Sequence, residues 1–68
     1  MRLKELRRAR HLSQLKVAMD LNMSQNTISR YENGQRRPSF EELVALADYF
    51  DVSIDYLLGR TDNPQVNF

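Results

Sequence analysis

Apolar residues recur every three or four positions along most of the chain, which is the period of an α-helix. No alternation of apolar and polar residues lasts long enough to predict a β-strand. The pattern predicts five helices, at about residues 2–10, 14–20, 25–32, 40–50 and 54–58. The side chains expected to line the core are Leu3, Leu6, Ala9, Leu15, Ala18, Met19, Ile28, Tyr31, Phe40, Leu43, Val44, Ala47, Phe50, Ile54, Leu57 and Leu58. The expected fold is therefore a small all-α domain.

Four of the predicted helices begin directly after a serine. These serines are Ser13, Ser24, Ser39 and Ser53. A serine at this position caps a helix because its hydroxyl accepts a hydrogen bond from an unpaired N–H group of the first turn. Each has an apolar or prolyl residue before it and an apolar residue four positions after it, which is the spacing of a hydrophobic staple. With Glu42 completing a capping box after Ser39, the repeated pattern predicts four helix starts.

The connection between the second and third predicted helices is unusually short. Only residues 21–23 precede the cap at Ser24, so the two helices must cross steeply and pack on each other. Asn22 is expected in the left-handed backbone conformation, which asparagine tolerates better than most other residues. The small side chain of Ala18 permits a close approach of the helices, and Ile28 is expected to close the contact.

One face of the third predicted helix is polar. If Ile28 and Tyr31 point to the core, the opposite face points to solvent. The residues of that face are Gln25, Asn26, Ser29 and Arg30, with Thr27 at its flank. Glutamine and asparagine can pair with adenine in the major groove of DNA, and arginine with guanine or a phosphate. Taken alone, an ordinary solvated helix face explains the same residues.

The charges are unevenly distributed along the chain. The net charge is +1, but residues 1–37 hold nine of the ten Lys and Arg residues and only three of the nine acidic ones. Residues 38–68 hold one basic and six acidic residues. A chance arrangement of surface charges is one explanation. The other is that the basic half faces a polyanion while the acidic half faces away from it.

Length and composition limit the remaining possibilities. Sixty-eight residues allow one domain with a small core, which oligomerisation would enlarge. The chain has no cysteine, so disulfides and thiolate zinc sites are excluded. Basic residues interrupt any apolar run near the N-terminus, and no segment has the length of a membrane span. We therefore expect no membrane association and a cytoplasmic location.

The segment LSQLKVAMDLNMSQNTISRYENG, residues 12–34, resembles the Cro/C1-type (XRE-like) helix-turn-helix proteins, which include phage repressors and many bacterial regulators. The resemblance continues through Pro38-Ser39 and VSIDYLL, covers residues 3–60, and is most specific at ISRYENG. It implies a five-helix lambda-repressor-like domain over residues 1–60, with the helix-turn-helix formed by helices 2 and 3, and a flexible tail or linker stub over residues 61–68. His11 and Asn22 stand where glycine is usual, so we expect some backbone strain there.

The resemblance implies a sequence-specific regulator of transcription in a bacterium or encoded by its phage. The expected activity is that of a repressor that binds double-stranded DNA at a palindromic operator as a homodimer, with helix 3 in the major groove. The residues that would read bases are Gln25, Asn26, Thr27 and Arg30. The residues that would contact phosphates are Gln14, Ser24, Ser29, Asn33, Arg36, Arg37 and Arg10. For Arg10, a solvated position at a helix C-terminus is an equal alternative.

Two structural features are expected, an ion pair that similar proteins suggest and a surface on helix 5, most of whose apolar residues belong to the core. Arg7 and Glu32 are expected to form a partly buried ion pair between helix 1 and the end of helix 3. The short fifth helix cannot turn all of its apolar residues inward, so some are candidates for a dimer surface. These candidates are Ile54, Tyr56, Leu57 and Leu58. A dimer of this kind would hold two recognition helices about 34 Å apart.

Two other classes of function are a protein-interaction module and an enzyme. A protein-interaction module, such as an antitoxin or antirepressor, would contact a protein partner or an effector domain through the acidic half. An enzyme is not expected, because His11 is the one histidine and no nucleophile, base or phosphate-binding loop accompanies it. No metal or cofactor is expected.

Overall fold

Five helices make up the fold of the computed structural model, which describes residues 1–65. They are α1 (Leu3–Ala9), α2 (Gln14–Asp20), α3 (Gln25–Glu32), α4 (Phe40–Tyr49) and α5 (Ile54–Leu58). Residues 1–65 contain no strand. All five predicted helices are confirmed, and no predicted end differs from the observed one by more than one residue. None of these helices has the length and apolar character needed to cross a lipid bilayer.

The four predicted serine caps are confirmed. In each case the hydroxyl accepts a hydrogen bond from the N–H three residues further on, at the starts of α2, α3, α4 and α5. At α4 the capping box is complete, because Glu42 also accepts the N–H of Ser39 at 2.8 Å. These caps fix where each helix begins and so fix the short turn before α3.

All five helices end in a Schellman motif, in which the residue after the last turn has a positive φ and two N–H groups bond back to helix carbonyls. At the end of α2, Asn22 has φ 56°, and the N–H of Met23 donates to the carbonyl oxygen of Ala18 at 2.8 Å. The predicted left-handed conformations of Asn22 and His11 are thus confirmed. Asp51 also has a positive φ, 54°, which the sequence pattern did not indicate.

The core draws buried side chains from every helix. Its members are Leu3, Val17, Ala18, Ile28, Tyr31, Leu46, Ala47, Phe50, Val52 and Leu57. The packing pairs α2 with α3, α4 with α5, and α1 with α3. The N–H of Arg2 donates to the carbonyl oxygen of Leu57 at 2.7 Å, so the two ends of the fold are joined. This arrangement supports α3 from behind on two sides.

Five predicted core residues are exposed, and the prediction is wrong for them. They are Ala9, Leu15, Met19, Phe40 and Leu58. On α2 the buried face is set by Val17 and Ala18, and the 100° step of a helix places Leu15 and Met19 on the other side. Phe40 occupies the first position of α4, where nothing among the described residues covers it.

The segment after α5 contacts the domain. The N–H of Ser53 donates to the carbonyl oxygen of Pro64 at 3.0 Å, and the guanidinium of Arg2 donates to the carbonyl oxygen of Thr61 at 3.1 Å. Arg2 also pairs with Asp62 at 2.9 Å. These contacts hold residues 61–64, the start of the predicted tail, against the helices. Its last residues, 66–68, lie outside the described part of the chain.

Candidate nucleic-acid interface

The two faces of α3 have opposite surroundings. Ile28 is 0% exposed and Tyr31 is 2% exposed, and both belong to the core. Gln25, Asn26 and Arg30 are exposed. Because α3 packs against α1 and α2 through its apolar face, its polar face is presented outward on a supported helix. The structure therefore brings these three predicted base-reading side chains together on one surface.

The fourth predicted base-reading residue, Thr27, is less exposed than the other three. It is half-buried, and its hydroxyl lies 2.8 Å from the hydroxyl of Ser24. The Ser24 hydroxyl also accepts the N–H of Thr27 at 3.1 Å, as the cap of α3. Both hydroxyls thus take part in starting the helix. Any contact of Thr27 or Ser24 with DNA would be made by groups that already have an intramolecular partner.

Four of the predicted phosphate-binding residues lie on α3, at its end or in the loop that follows it. Asn33, Arg36 and Arg37 are exposed at the end of α3 and in the loop that follows, and Ser29 is half-buried. The guanidinium carbon of Arg36 lies 5.9 Å from the centre of the Tyr31 ring. This contact places one cation of the loop over the buried aromatic residue that anchors α3.

Arg10 contacts the end of α4. Its guanidinium donates to the carbonyl oxygens of Tyr49 and Phe50 and lies 5.3 Å from the centre of the Phe50 ring. A cation at this position satisfies carbonyl groups that lack a partner within the helix and interacts favourably with the helix dipole. These contacts give Arg10 a structural role, and its contact with phosphate stays a prediction.

Arg7 and Glu32 form a nearly enclosed ion pair. Arg7 Nε donates to Glu32 Oε2 at 2.6 Å and Arg7 Nη2 donates to Glu32 Oε1 at 3.0 Å. The side chains are 11% and 1% exposed. Burial raises the pKa of Glu32, but hydrogen bonds from Arg7 and Gln14 outweigh it, so the pKa lies below its ordinary value. The carboxylate is therefore charged at neutral pH and joins α1 to the end of α3.

Gln14 contacts the same carboxylate. It stands at the first position of α2, is half-buried, and donates from Nε2 to Glu32 Oε1 at 3.1 Å. The family resemblance implied that Gln14 contacts a phosphate and that Glu32 pairs with Arg7, but gave no sign that Gln14 and Glu32 would meet. Their contact connects the ion pair to the first residue of α2.

A second polar link joins α2 to the end of α4, and the sequence analysis did not predict it. The hydroxyl of Tyr49 donates to Asp20 Oδ2 at 2.6 Å, and Lys16 Nζ donates to Asp20 Oδ1 at 3.0 Å. The hydrogen bonds from Tyr49 and Lys16 lower the pKa of Asp20. Only the Lys16–Asp20 spacing of four residues was visible in the sequence, because Tyr49 is distant along the chain.

Tyr31 carries a buried hydroxyl with no hydrogen-bond partner among the described residues. Burial and the neighbouring carboxylate of Glu42 together raise the pKa of Tyr31 to about 12. The hydroxyl is therefore neutral at any pH at which the domain would work. Its ring fills the core behind α3, and its hydroxyl faces the Glu42 carboxylate without a hydrogen bond of normal geometry.

The dimer candidates on α5 differ in their exposure. Leu58 is 40% exposed, and Ile54 and Tyr56 are half-buried, with the Arg2 guanidinium 4.4 Å from the centre of the Tyr56 ring. Leu57 is 0% exposed and belongs to the core, so its prediction as a dimer contact is wrong. Because α5 has five residues, Leu57 alone faces the core squarely. Leu58 borders a groove of about 390 Å³ with Met1, Pro38 and Leu43.

The comparisons with known proteins agree with this geometry. A helix-turn-helix family model matches residues 3–57. The transcriptional regulator AnsR of Bacillus subtilis is 45% identical over 64 residues, which are 94% of this chain and 55% of the relative. YobD of Bacillus subtilis, an uncharacterized transcriptional regulator, is 38% identical over 63 residues, or 93% of this chain and 56% of the relative.

A third relative comes from a phage. The cryptic phage CTXphi transcriptional repressor RstR of Vibrio cholerae is 38% identical over 66 residues, which cover 94% of this chain and 59% of the relative. The chain thus spans little more than half the length of the curated relatives it matches.

Proposed function

Because this chain belongs to the helix-turn-helix family, we propose that it binds double-stranded DNA and regulates transcription, with α3 lying in the major groove. The observation that carries this proposal is the exposed polar face of α3, backed by the buried Ile28 and Tyr31. A helix supported in this way can enter the groove without losing its packing.

The polar face of α3 provides the chemistry for reading sequence. The carboxamides of Gln25 and Asn26 can each donate to N7 and accept from N6 at the edge of an adenine, and Arg30 can donate twice to a guanine. Thr27 would contribute from the flank. Each good bidentate contact is worth about 1–3 kcal/mol of discrimination against a wrong base.

The surrounding cations supply the part of the binding that does not depend on sequence. Arg36 and Arg37 are exposed in the loop after α3, where they would contact phosphates together with Asn33 and Ser29. The excess of basic residues in positions 1–37 supports this orientation, since it concentrates positive charge on the half that contains α3.

Dimerisation would give such a small domain its affinity and its symmetry. We propose that a second copy packs on Leu58, with Ile54 and Tyr56 at the margin. This contact would hold two α3 helices about 34 Å apart, one turn of DNA, and match a palindromic operator. A bound dimer at a promoter would act as a repressor, as the name of the relative RstR describes for that protein. It would work in the cytoplasm of a bacterial host and would need no cofactor.

Selection from a random DNA pool tests the proposal. We expect one enriched half-site, repeated with inverted symmetry. In gel-shift titrations, Arg30→Ala and Gln25→Ala should each weaken binding to the selected duplex by about 1–3 kcal/mol and relax the base preference. Arg36→Ala should weaken binding to all duplexes alike and flatten the salt dependence. Enrichment of no sequence, together with unchanged binding by both α3 variants, would contradict the assignment.

A second candidate function is suggested by an acidic groove between α4 and α5. The groove has a volume of about 300 Å³ and an apolar floor formed by Val44, Ala47, Val52 and Ile54, with Asp48 and Asp55 at its rim. These features suit a basic segment of a protein partner, so the domain would act as an interaction module. This function would be favoured by a protein that co-purifies with the chain in a fixed ratio and is lost in the Asp48→Lys variant. The chain should then not bind operator-length DNA at moderate salt.

A further inference from the structure

The buried ion pair of Arg7 and Glu32 has a third member, the side-chain amide of Gln14. Glu32 Oε1 accepts hydrogen bonds from Gln14 Nε2 at 3.1 Å and from Arg7 Nη2 at 3.0 Å. The three residues lie on three different helices, α2, α3 and α1. We propose that Glu32 is a positioning residue that orients the Gln14 amide toward a DNA phosphate. This inference rests on the DNA-binding function proposed above.

The geometry of an amide explains how one hydrogen bond fixes another. The nitrogen of Gln14 carries two hydrogens that lie in the plane of the amide, so fixing the direction of one fixes the direction of the other. Glu32 holds one of them. The amide has no other hydrogen-bond partner among the described residues and Gln14 is not fully buried, so its second N–H is left to donate to a ligand.

Ordering the Gln14 amide before DNA binds favours its contact with a phosphate. A free glutamine loses side-chain conformational freedom when it binds a phosphate, and a side chain that is already ordered loses less. Glu32 is suited to this role because its side chain is 1% exposed and Arg7 holds both of its oxygens. The ion pair therefore gives the amide a fixed acceptor rather than a mobile one.

The positive charge of Arg7 offsets the negative charge of Glu32 beside the proposed phosphate contact. An unpaired carboxylate beside the interface would repel a phosphate, whereas the guanidinium neutralises it at contact distance. Burial raises the pKa of Glu32, but the hydrogen bonds from Arg7 and Gln14 more than reverse this effect. Glu32 therefore accepts the Gln14 hydrogen bond throughout the neutral range.

A mutant cycle with three backgrounds tests the proposal. Binding of the full chain to a random-sequence duplex at low salt is measured by fluorescence anisotropy, because a phosphate contact does not depend on sequence. In the wild-type background, Gln14→Ala should weaken binding about threefold to tenfold. In the Glu32→Gln background, the new amide oxygen still accepts from Gln14, so Gln14→Ala should again weaken binding.

The third background removes the acceptor without leaving a buried charge. In the Arg7→Met, Glu32→Met double variant, apolar side chains replace the ion pair, a type of change that domains often tolerate. There Gln14→Ala should have no further effect on affinity. Glu41→Gln is the matched control, since it removes one negative charge from an exposed glutamate and leaves Gln14 untouched.

The outcomes distinguish this inference from the function on which it rests. Equal losses from Gln14→Ala in all three backgrounds would show that Gln14 acts without Glu32 and would overturn the proposal. A wild-type chain that binds no duplex would instead overturn the proposed function. The side-chain amide signal of Gln14 in the NMR spectrum of the free protein gives a second readout. Its shifts should differ from those of a free glutamine in the wild type and in Glu32→Gln, and should move to the free-glutamine values in the double methionine variant.

Discussion

Replacing Arg7 with methionine should destabilise the fold more than any surface substitution. The variant leaves the Glu32 carboxylate without its cation in a position where the side chain is 1% exposed. It also removes the hydrogen bond from Arg7 Nη1 to the carbonyl oxygen of Leu12, which is 2.9 Å long. Breaking a buried ion pair by removing one partner costs about 3–5 kcal/mol, because a charge is left buried and unpaired.

This loss is large compared with the stability of so small a domain. A chain of 68 residues is expected to have a free energy of unfolding of about 3–10 kcal/mol. At roughly 4–8 °C per kcal/mol, the melting temperature should fall by about 12–40 °C. Thermal unfolding followed by circular dichroism measures this shift. Arg8→Met is the matched control, because Arg8 is an exposed arginine on the same helix, and its loss should change stability by less than about 0.5 kcal/mol.

The pH dependence should distinguish a buried charge from lost packing. In the wild type the pKa of Glu32 lies below its ordinary value of 4.5, so its contribution to stability is complete above that pH and is lost as the pH falls through the folded-state pKa. Without Arg7, burial of Glu32 dominates and its pKa rises above the ordinary value. The free energy of unfolding of Arg7→Met should therefore increase as the pH falls from 7 to 5. A variant equally unstable at both values, or as stable as Arg8→Met, would refute the reasoning.

Three further predictions concern the backbone and the core. Tyr31→Phe should change stability by less than about 1 kcal/mol in urea unfolding, because the buried hydroxyl faces the Glu42 carboxylate without a hydrogen bond of normal geometry; a larger loss would show that the two groups bond. Ser39→Ala should cost about 1 kcal/mol by removing the cap of α4, and a cost near zero would show that the capping box is dispensable. His11→Gly should raise the melting temperature by a few degrees, since φ at this position is 57° and a left-handed conformation costs about 1–2 kcal/mol in a residue with a side chain; a lower melting temperature would contradict it.

The features that the sequence predicted correctly are governed by short-range chemistry. A serine cap needs only the N–H groups of the next turn, so Ser24 and Ser39 could be recognised from their neighbours. The turn at Asn22 is defined by the three residues between two helices. Once its ends were known, the alternation of Ile28 with polar residues indicated which side of α3 is buried.

The features that the sequence missed depend on how the helices are rotated and on contacts between distant residues. On α2 the apolar residues surround most of the helix, so periodicity did not decide whether Met19 or Val17 faces the core. The hydrogen bond between Tyr49 and Asp20 joins residues 29 positions apart, and the one between Gln14 and Glu32 joins residues 18 positions apart. No local pattern specifies such pairs. Residue 51 has a left-handed backbone but is an aspartate, whereas a glycine at this position would have indicated the turn.

The most direct test of the central claim is an NMR titration of the isotope-labelled chain with the selected operator duplex. We expect the side-chain amide signals of Gln25 and Asn26 and the Nε signal of Arg30 to shift with operator DNA and to move less with a scrambled duplex. Signals from the groove between α4 and α5 should stay in place. Operator-dependent shifts confined to that groove, with the α3 side chains unchanged, would contradict the claim that α3 reads the DNA.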